Sequence, residues 1–311
     1  MSHNMKNHAF LLPVHKQPNL VARIINVLQA DNHYFFVHVD KKVTNYNDFV
    51  EACKDMKNVM FVRRIPVYWA TISQVNATLM MLEEVERHPV HFHYVHQISG
   101  NDYPLRSNEQ FDSFFENTED SFMCYNYEKD MDYWKPIYDR HVNWYYPNGD
   151  DNWWEKAVIK FGNSRFRRFF TRKPIPELAG SWDWWSWSEA VVTYIMHDLR
   201  NVNRKGGGML KRFNHTCAPG EHFFATLLYK HLDELHIHKH FPLRYVSWKP
   251  YRKIEQKHRP YDLTEQDYER VINSAAFFCR KVDEVTSAKF LDMVDAQRGN
   301  RYDITEHDYF F

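Results

Sequence analysis

Glu221 is the residue in this chain whose type and setting best suit proton transfer. It follows Pro219-Gly220, a turn able to project a side chain into a cleft. It also opens the stretch Glu221-His-Phe-Phe-Ala-Thr-Leu-Leu228, which reads as an amphipathic helix. A carboxylate there can deprotonate a hydroxyl, and the helix N-terminus favours its ionised, proton-accepting form. An ordinary acidic residue complementing the helix dipole has the same spacing, and spacing alone favours that plainer role. Two other groupings invite a metal reading. Asp130-Met-Asp132 has a spacing suited to a divalent ion, but it follows Glu128-Lys129 rather than an apolar strand and reads as a solvated acidic turn. His236, His238 and His240 alternate, as do His91 and His93, and alternation on a strand would put each set on one face. Lys230 and Lys239 beside the first set point to a solvated edge rather than to zinc.

Standard motifs are missing. There is no G-x-G-x-x-G, G-x-x-x-x-G-K-[ST], G-x-S-x-G or H-E-x-x-H. Dinucleotide, P-loop, serine-hydrolase and zincin chemistries therefore lose their usual support. Lys plus Arg and Asp plus Glu are both 40 in 311 residues, and this zero net charge argues against binding nucleic acid through a basic surface. A 44% hydrophobic content excludes a disordered chain. No apolar run is long enough to span a bilayer, and Met1–His8 lack a signal-peptide core. Cys53, Cys124, Cys217 and Cys279 form no C-x-x-C pair and read as four buried free thiols in a cytosolic protein. Aromatic residues make up 17% of the chain and cluster near 133–154 and 182–187. Such rings either fill a core or stack on sugar faces.

The elements that must position these residues alternate along the first 120 residues. Strands are expected at 9–14, 34–40, 59–62 and 93–98, with helices from Pro18, from a Thr44 cap through Cys53, over Thr71–Arg87 and after a Ser107/Gln110 capping box. Alternation of this kind predicts a mostly parallel α/β sheet of Rossmann type with helices on its faces. Ligands then sit beyond the carboxyl ends of the strands, where His15, Asp40, Arg63, Arg64, Ser99 and Asp102 fall. Ser99–Pro104 reads as a loop. The second half is less regular, with a short strand near 184–187, a helix from Ser188 to about Asn201, a helix capped by Thr264 and a late strand or turn at 275–281.

Six ordered segments carry a resemblance. They are Val37-His-Val-Asp40, Val67-Tyr-Trp-Ala70, Ser99-Gly-Asn-Asp-Tyr-Pro-Leu105, Ala179-Gly-Ser-Trp182, Pro219-Gly-Glu-His-Phe-Phe-Ala-Thr226 and Phe277-Phe-Cys-Arg-Lys-Val-Asp283. Together they resemble the core-2/I-branching β-1,6-N-acetylglucosaminyltransferase family, which also contains peptide O-xylosyltransferases. The resemblance covers about His8 to Asp283. It implies a single GT-A-like domain over 1–311, with a nucleotide-sugar half (about 8–120) and an acceptor and catalytic half (about 121–290). It implies inverting transfer from a UDP-sugar, GlcNAc first and xylose second, to a saccharide hydroxyl, with no metal or other cofactor. By the same resemblance Glu221 is the base, and Lys281 and Arg259 are the cations at the diphosphate. Asp40, Ser99 and Asp102 line the donor site, and Asp183, Trp182 and Trp248 face the acceptor. Arg280 reads as a neighbouring surface charge.

The stretch 133–176, where acceptor contacts would lie, matches poorly. With no anchor, stem or disulfides, the chain is expected to be a bacterial cytosolic member working on polysaccharide, with peripheral association at the inner membrane face allowed. The competing expectation is a carbohydrate-binding protein that kept the fold and lost the chemistry. A histidine-based metal hydrolase ranks third.

Overall fold

The computed structural model describes residues 5–127, 142, 172–173, 175, 177–204, 208–239, 241, 243–247 and 260–298. Every second residue of β1 (His8–Val14) packs on one face of the central sheet and the intervening ones on the other. Phe10 and Leu12 join one apolar cluster, and Ala9 and Leu11 join the second. A strand covered on both faces reads as one unbroken apolar run, which is why β1 stands out in the sequence. The next elements are α1 (Pro18–Leu28), β2 (His33–Val39), α2 (Tyr46–Ala52), β3 (Val59–Phe61), α3 (Ile72–Arg87) and β4 (Tyr94–Gln97). Strands β1 to β4 are parallel to their neighbours in the order β3-β2-β1-β4.

The chain continues through β5 (Asp102–Pro104), α4 (Asn108–Glu116), β6 (Ser121–Tyr127), β7 (Gly180–Ser188) and α5 (Glu189–Arg204). Strand β7 inserts antiparallel beside β4, and β6 and β8 (Ile237–His238) extend the sheet to seven strands. Between β7 and β8 lie α5, α6 (Met209–Phe213), a 3₁₀ turn at Pro219–Glu221 and α7 (Phe223–Leu228). A second sheet of three strands joins β5 to β9 (Arg244–Val246) through the central β10 (Phe278–Arg280). Helices α8 (Tyr268–Ile272) and α9 (Ala288–Gln297) complete the described elements. The mixed α/β architecture and mostly parallel sheet agree with expectation. Among the described residues, no helix is long and apolar enough to cross a membrane.

Local signals hold in several places. Thr71 caps α3 by accepting from the Ser73 amide, and Ser107 and Gln110 form the expected capping box on α4. Four expectations need correction. Thr44 does not cap α2, whose N-cap is Asn45. The segment after Ser99 is not all loop, because Asp102–Pro104 finds a partner strand 176 residues later. Strand β7 runs nine residues rather than four, paired on both sides by β4 and β6. The four thiols form no disulfide, but only Cys53 and Cys279 are buried, Cys124 and Cys217 being half-buried.

Candidate active site

Glu221 ends the 3₁₀ turn, and α7 begins only at Phe223. It is thus not in the first turn of a long helix. Its position comes from the turn itself, entered through Ala218 in a left-handed conformation (φ 51°) and tied by the Ala218 amide to the Ala70 carbonyl. All six residues of α7 are buried, so the helix anchors this turn to the core. Gly220 is required by contact. A Cβ at that position would fall on the Asp183 carboxylate, so the backbone of the turn packs directly against that side chain.

Asp183 lies on β7, and Gln97 at the end of β4 donates to its carbonyl at 2.8 Å. The carboxyl is pushed up from 3.8 to about 7, first by burial and then by the negative charge of Glu221, with Arg280 acting in the opposite direction. The charge of Glu221 thus favours a proton on Asp183. Glu221 and Asp183, expected in the base and acceptor roles, are therefore brought together.

Arg280 corrects the surface-charge expectation. It is buried at the end of β10, its Nη1 donates to Asp102 Oδ1 at 2.8 Å, and its guanidinium lies 3.4 Å from the centroid of the Trp184 ring. Burial pushes its pKa down, while Asp102 and Asp183 hold it charged. Asp102 is fully buried, and its second oxygen accepts from the Ser99 amide. Its carboxylate thus ties the Ser99 loop to Arg280. Arg244 braces the same corner, donating to Ser186 Oγ at 2.9 Å and to the carbonyls of Gln97 and Trp185.

A second group lies at the carboxyl ends of β1 and β2. Asp40 Oδ1 accepts from the amides of Lys42 and Val67, and Lys42 Nζ is 3.6 Å from Asp40 Oδ2. His15 is pushed down by burial, then by Lys16, Lys42 and Lys281, while Asp40 pulls it up. Those influences put Asp40 and Lys281 on one shelf around His15. Lys281 is half-buried, with Nζ 3.7 Å from Asp262. Ser99 is half-buried, its Oγ 3.3 Å from the Asn101 amide.

The aromatic run divides by strand alternation. Trp185 and Trp187 are fully buried in the core, whereas Trp184 faces Arg280 and Trp182 packs edge-on against Trp184. Trp248, Arg259, Asp130, Asp132, His240 and most of 126–176 lie outside the described residues. His238 pairs with Asp120 at 2.8 Å, and His236 precedes the two-residue β8 at φ 49°, so among the described residues these two histidines do not share a strand face. Sequence reading missed the buried roles of Arg280, Trp184, Arg244 and Gln97. The one available signal was a charged residue, Arg280, closing an otherwise apolar strand.

Residues 8–272 match the Core-2/I-Branching enzyme family. Curated relatives include the xylosyltransferase oxt of Drosophila pseudoobscura pseudoobscura, 22% identical over 91% of this chain and 32% of its own length. Xylosyltransferase 1 of Rattus norvegicus is 23% identical over 94% and 36%, and that of Homo sapiens 24% identical over 92% and 30%. The chain thus spans about a third of the length of these relatives. Mouse xyloside xylosyltransferase 1 aligns over 89% of this chain and 95% of its own, at 10% identity and a TM-score of 0.37, a likeness too weak to carry an argument.

Proposed function

This chain belongs to the Core-2/I-Branching enzyme family, and on that premise we propose that it transfers a sugar from a UDP-sugar to a saccharide hydroxyl with inversion. The observation that carries the proposal is the pairing of Glu221 with Asp183 beside the buried Arg280–Asp102 ion pair. In the proposed step Glu221 accepts the proton of the acceptor hydroxyl. The freed oxygen lone pair forms a bond to the anomeric carbon from one face, and the bond to UDP breaks on the other with its electron pair. Asp183, holding a proton near neutral pH, is able to donate a hydrogen bond to an acceptor oxygen while Glu221 stays available as the base.

Lys281 meets the growing charge on the leaving diphosphate, with Arg259 joining it by resemblance. Two fixed cations supply the electrostatic stabilisation that a divalent ion gives elsewhere, so the reaction is proposed to need no metal. Asp40 orients the ammonium of Lys42 and the 67–70 loop around the donor. Trp182 and Trp248 are assigned to the acceptor. The relatives are xylosyltransferases, which favours UDP-xylose over the UDP-GlcNAc placed first by the resemblance. The cytoplasmic, bacterial placement belongs to the same proposal.

Calorimetry against UDP-xylose, UDP-GlcNAc and UDP-glucose, followed by UDP release without acceptor, tests it. The proposal expects micromolar to millimolar binding of one donor and slow release of UDP from it. A folded protein that binds none of the three contradicts the donor site. Binding without release leaves only the carbohydrate-binding alternative.

A further inference from the structure

At the amino ends of β1 and β2, at the end of the sheet away from Glu221, three side chains converge. His8 and His33 are neighbours in the β1–β2 register, and Asp112 reaches them from α4. His33 Nε2 lies 2.8 Å from Asp112 Oδ1, and His8 Nε2 lies 3.7 Å from the same oxygen. The three ligand atoms are all within 4.8 Å of one another. Both imidazoles are fully buried, and His8 Nε2 has no hydrogen-bond partner.

The donors and acceptors around His33 do not balance without a cation. Its Nδ1 lies 2.7 Å from the Leu28 carbonyl, which can only accept, so Nδ1 carries the hydrogen. In a neutral ring Nε2 is then a bare lone pair pointing at a carboxylate oxygen. Either a second proton on Nε2 or a metal ion bound by both atoms must satisfy that lone pair. A metal-bound histidine commonly donates its other N–H to a carbonyl, and the Leu28 contact has that form.

His8 is oriented in the same way. Its Nδ1 lies 3.0 Å from His96 Nε2, and His96 Nδ1 lies 2.9 Å from Ser186 Oγ. If these contacts run from His8 outward, each Nδ1–H donates and the unpartnered His8 Nε2 offers its lone pair to the Asp112 site. Phe111 and Phe115 close the apolar side of the pocket around His8. Asp112, partly exposed, gives the ion a way in.

We propose that His8, His33 and Asp112 form a divalent transition-metal site of the zinc type, in which a cation ties α4 to the starts of β1 and β2. Two nitrogens and one carboxylate oxygen suit zinc, with a fourth position left for water or the second Asp112 oxygen. The ion is structural. It lies at the far end of the strands from the transfer chemistry, and it stands or falls separately from the proposed function.

The test uses the whole chain after chelation and desalting, with cobalt(II) and zinc(II) as probes. Cobalt is expected to bind with one equivalent giving intense visible bands of low-coordinate geometry, which zinc then quenches. Zinc at 100-fold over its dissociation constant should raise the Tm by about 5 °C. Asp112→Asn keeps the shape of a partly exposed side chain and should lose both effects. His33→Gln should lose the bands as well, with circular dichroism confirming its fold. If the wild-type protein shows no such bands, the cation between His33 and Asp112 is a proton and the metal site is wrong. Equal bands in the wild type and in a folded Asp112→Asn protein would place the metal elsewhere and also overturn the assignment.

Discussion

Replacing Asp183 by Asn should change how stability depends on pH, and the sign follows from the site. The carboxyl has an ordinary value of 3.8 and sits at about 7 in the folded chain, mainly through burial and secondarily through Glu221. Between those two values the unfolded chain has lost the proton and the folded chain still holds it. Unfolding therefore releases a proton, and the contribution of this group to stability falls as pH rises through that window. The interval of about 3 pH units, at 1.36 kcal/mol per unit, sets a ceiling of ~4 kcal/mol. The side chain is only half-buried, so water reaching it brings the expected effect to about 2 kcal/mol.

Asparagine keeps the size of the residue and does not titrate. Urea unfolding of wild type and Asp183→Asn at pH 4.5 and pH 8 gives the double difference, in which titrating groups independent of Asp183 cancel and the response of Asp183 with its coupled neighbours is left. The variant should gain about 2 kcal/mol relative to wild type on going from pH 4.5 to pH 8. A double difference of zero would mean that Asp183 is not held protonated by its surroundings. A relative loss for the variant at pH 8 would mean that Arg280 outweighs Glu221, and the paired-carboxylate reading would fail.

Further outcomes follow from the same geometry. Lys281→Ala should weaken UDP binding roughly 10-fold and slow turnover together, because its charge meets the diphosphate before and during bond breaking; calorimetry showing unchanged UDP affinity would remove it from the donor site. In the folded Asp183→Asn protein, UDP affinity should be retained while the acceptor KM rises, so loss of UDP binding would contradict its acceptor role. Gly220→Ala forces a methyl against the Asp183 carboxylate and should cost about 1–3 kcal/mol of stability; an unchanged Tm with full turnover would show that the turn has room to spare. Excess chelator, assayed well below the Tm, should leave UDP release intact, whereas strict restoration by magnesium or manganese would show that Lys281 and Arg259 do not suffice.

The half of the fold made by local rules was legible. The apolar run of β1, the Thr71 cap and the Ser107 capping box depend on residues within a few positions of each other, and each forms where its pattern stands. What escaped depends on distant partners. Strand β5 is three residues long and exists because β10 pairs with it, and no local signal in Asp102-Tyr-Pro104 announces that pairing. The Arg280–Asp102 ion pair comes from the same juxtaposition, 178 residues apart in the chain. Glu221 was found from its Pro-Gly turn, but its setting was misjudged, since the helix begins two residues later and the Ala218–Ala70 hydrogen bond fixes the turn. Glu221 is a candidate from its turn and then by resemblance, Asp183 by resemblance alone, and the two are given separate jobs. Their electrostatic coupling required the approach of β7 to the turn, which only the tertiary fold provides.

The central claim is that Glu221 takes the acceptor proton in transfer from a UDP-sugar. The direct measurement is steady-state UDP release with the preferred donor by wild type and Glu221→Gln, alongside donor affinity by calorimetry. Glutamine keeps the size of the residue but cannot act as the base. The account predicts that kcat falls by roughly 10²–10⁴-fold while donor affinity changes little. A folded Glu221→Gln protein with near wild-type turnover would contradict it.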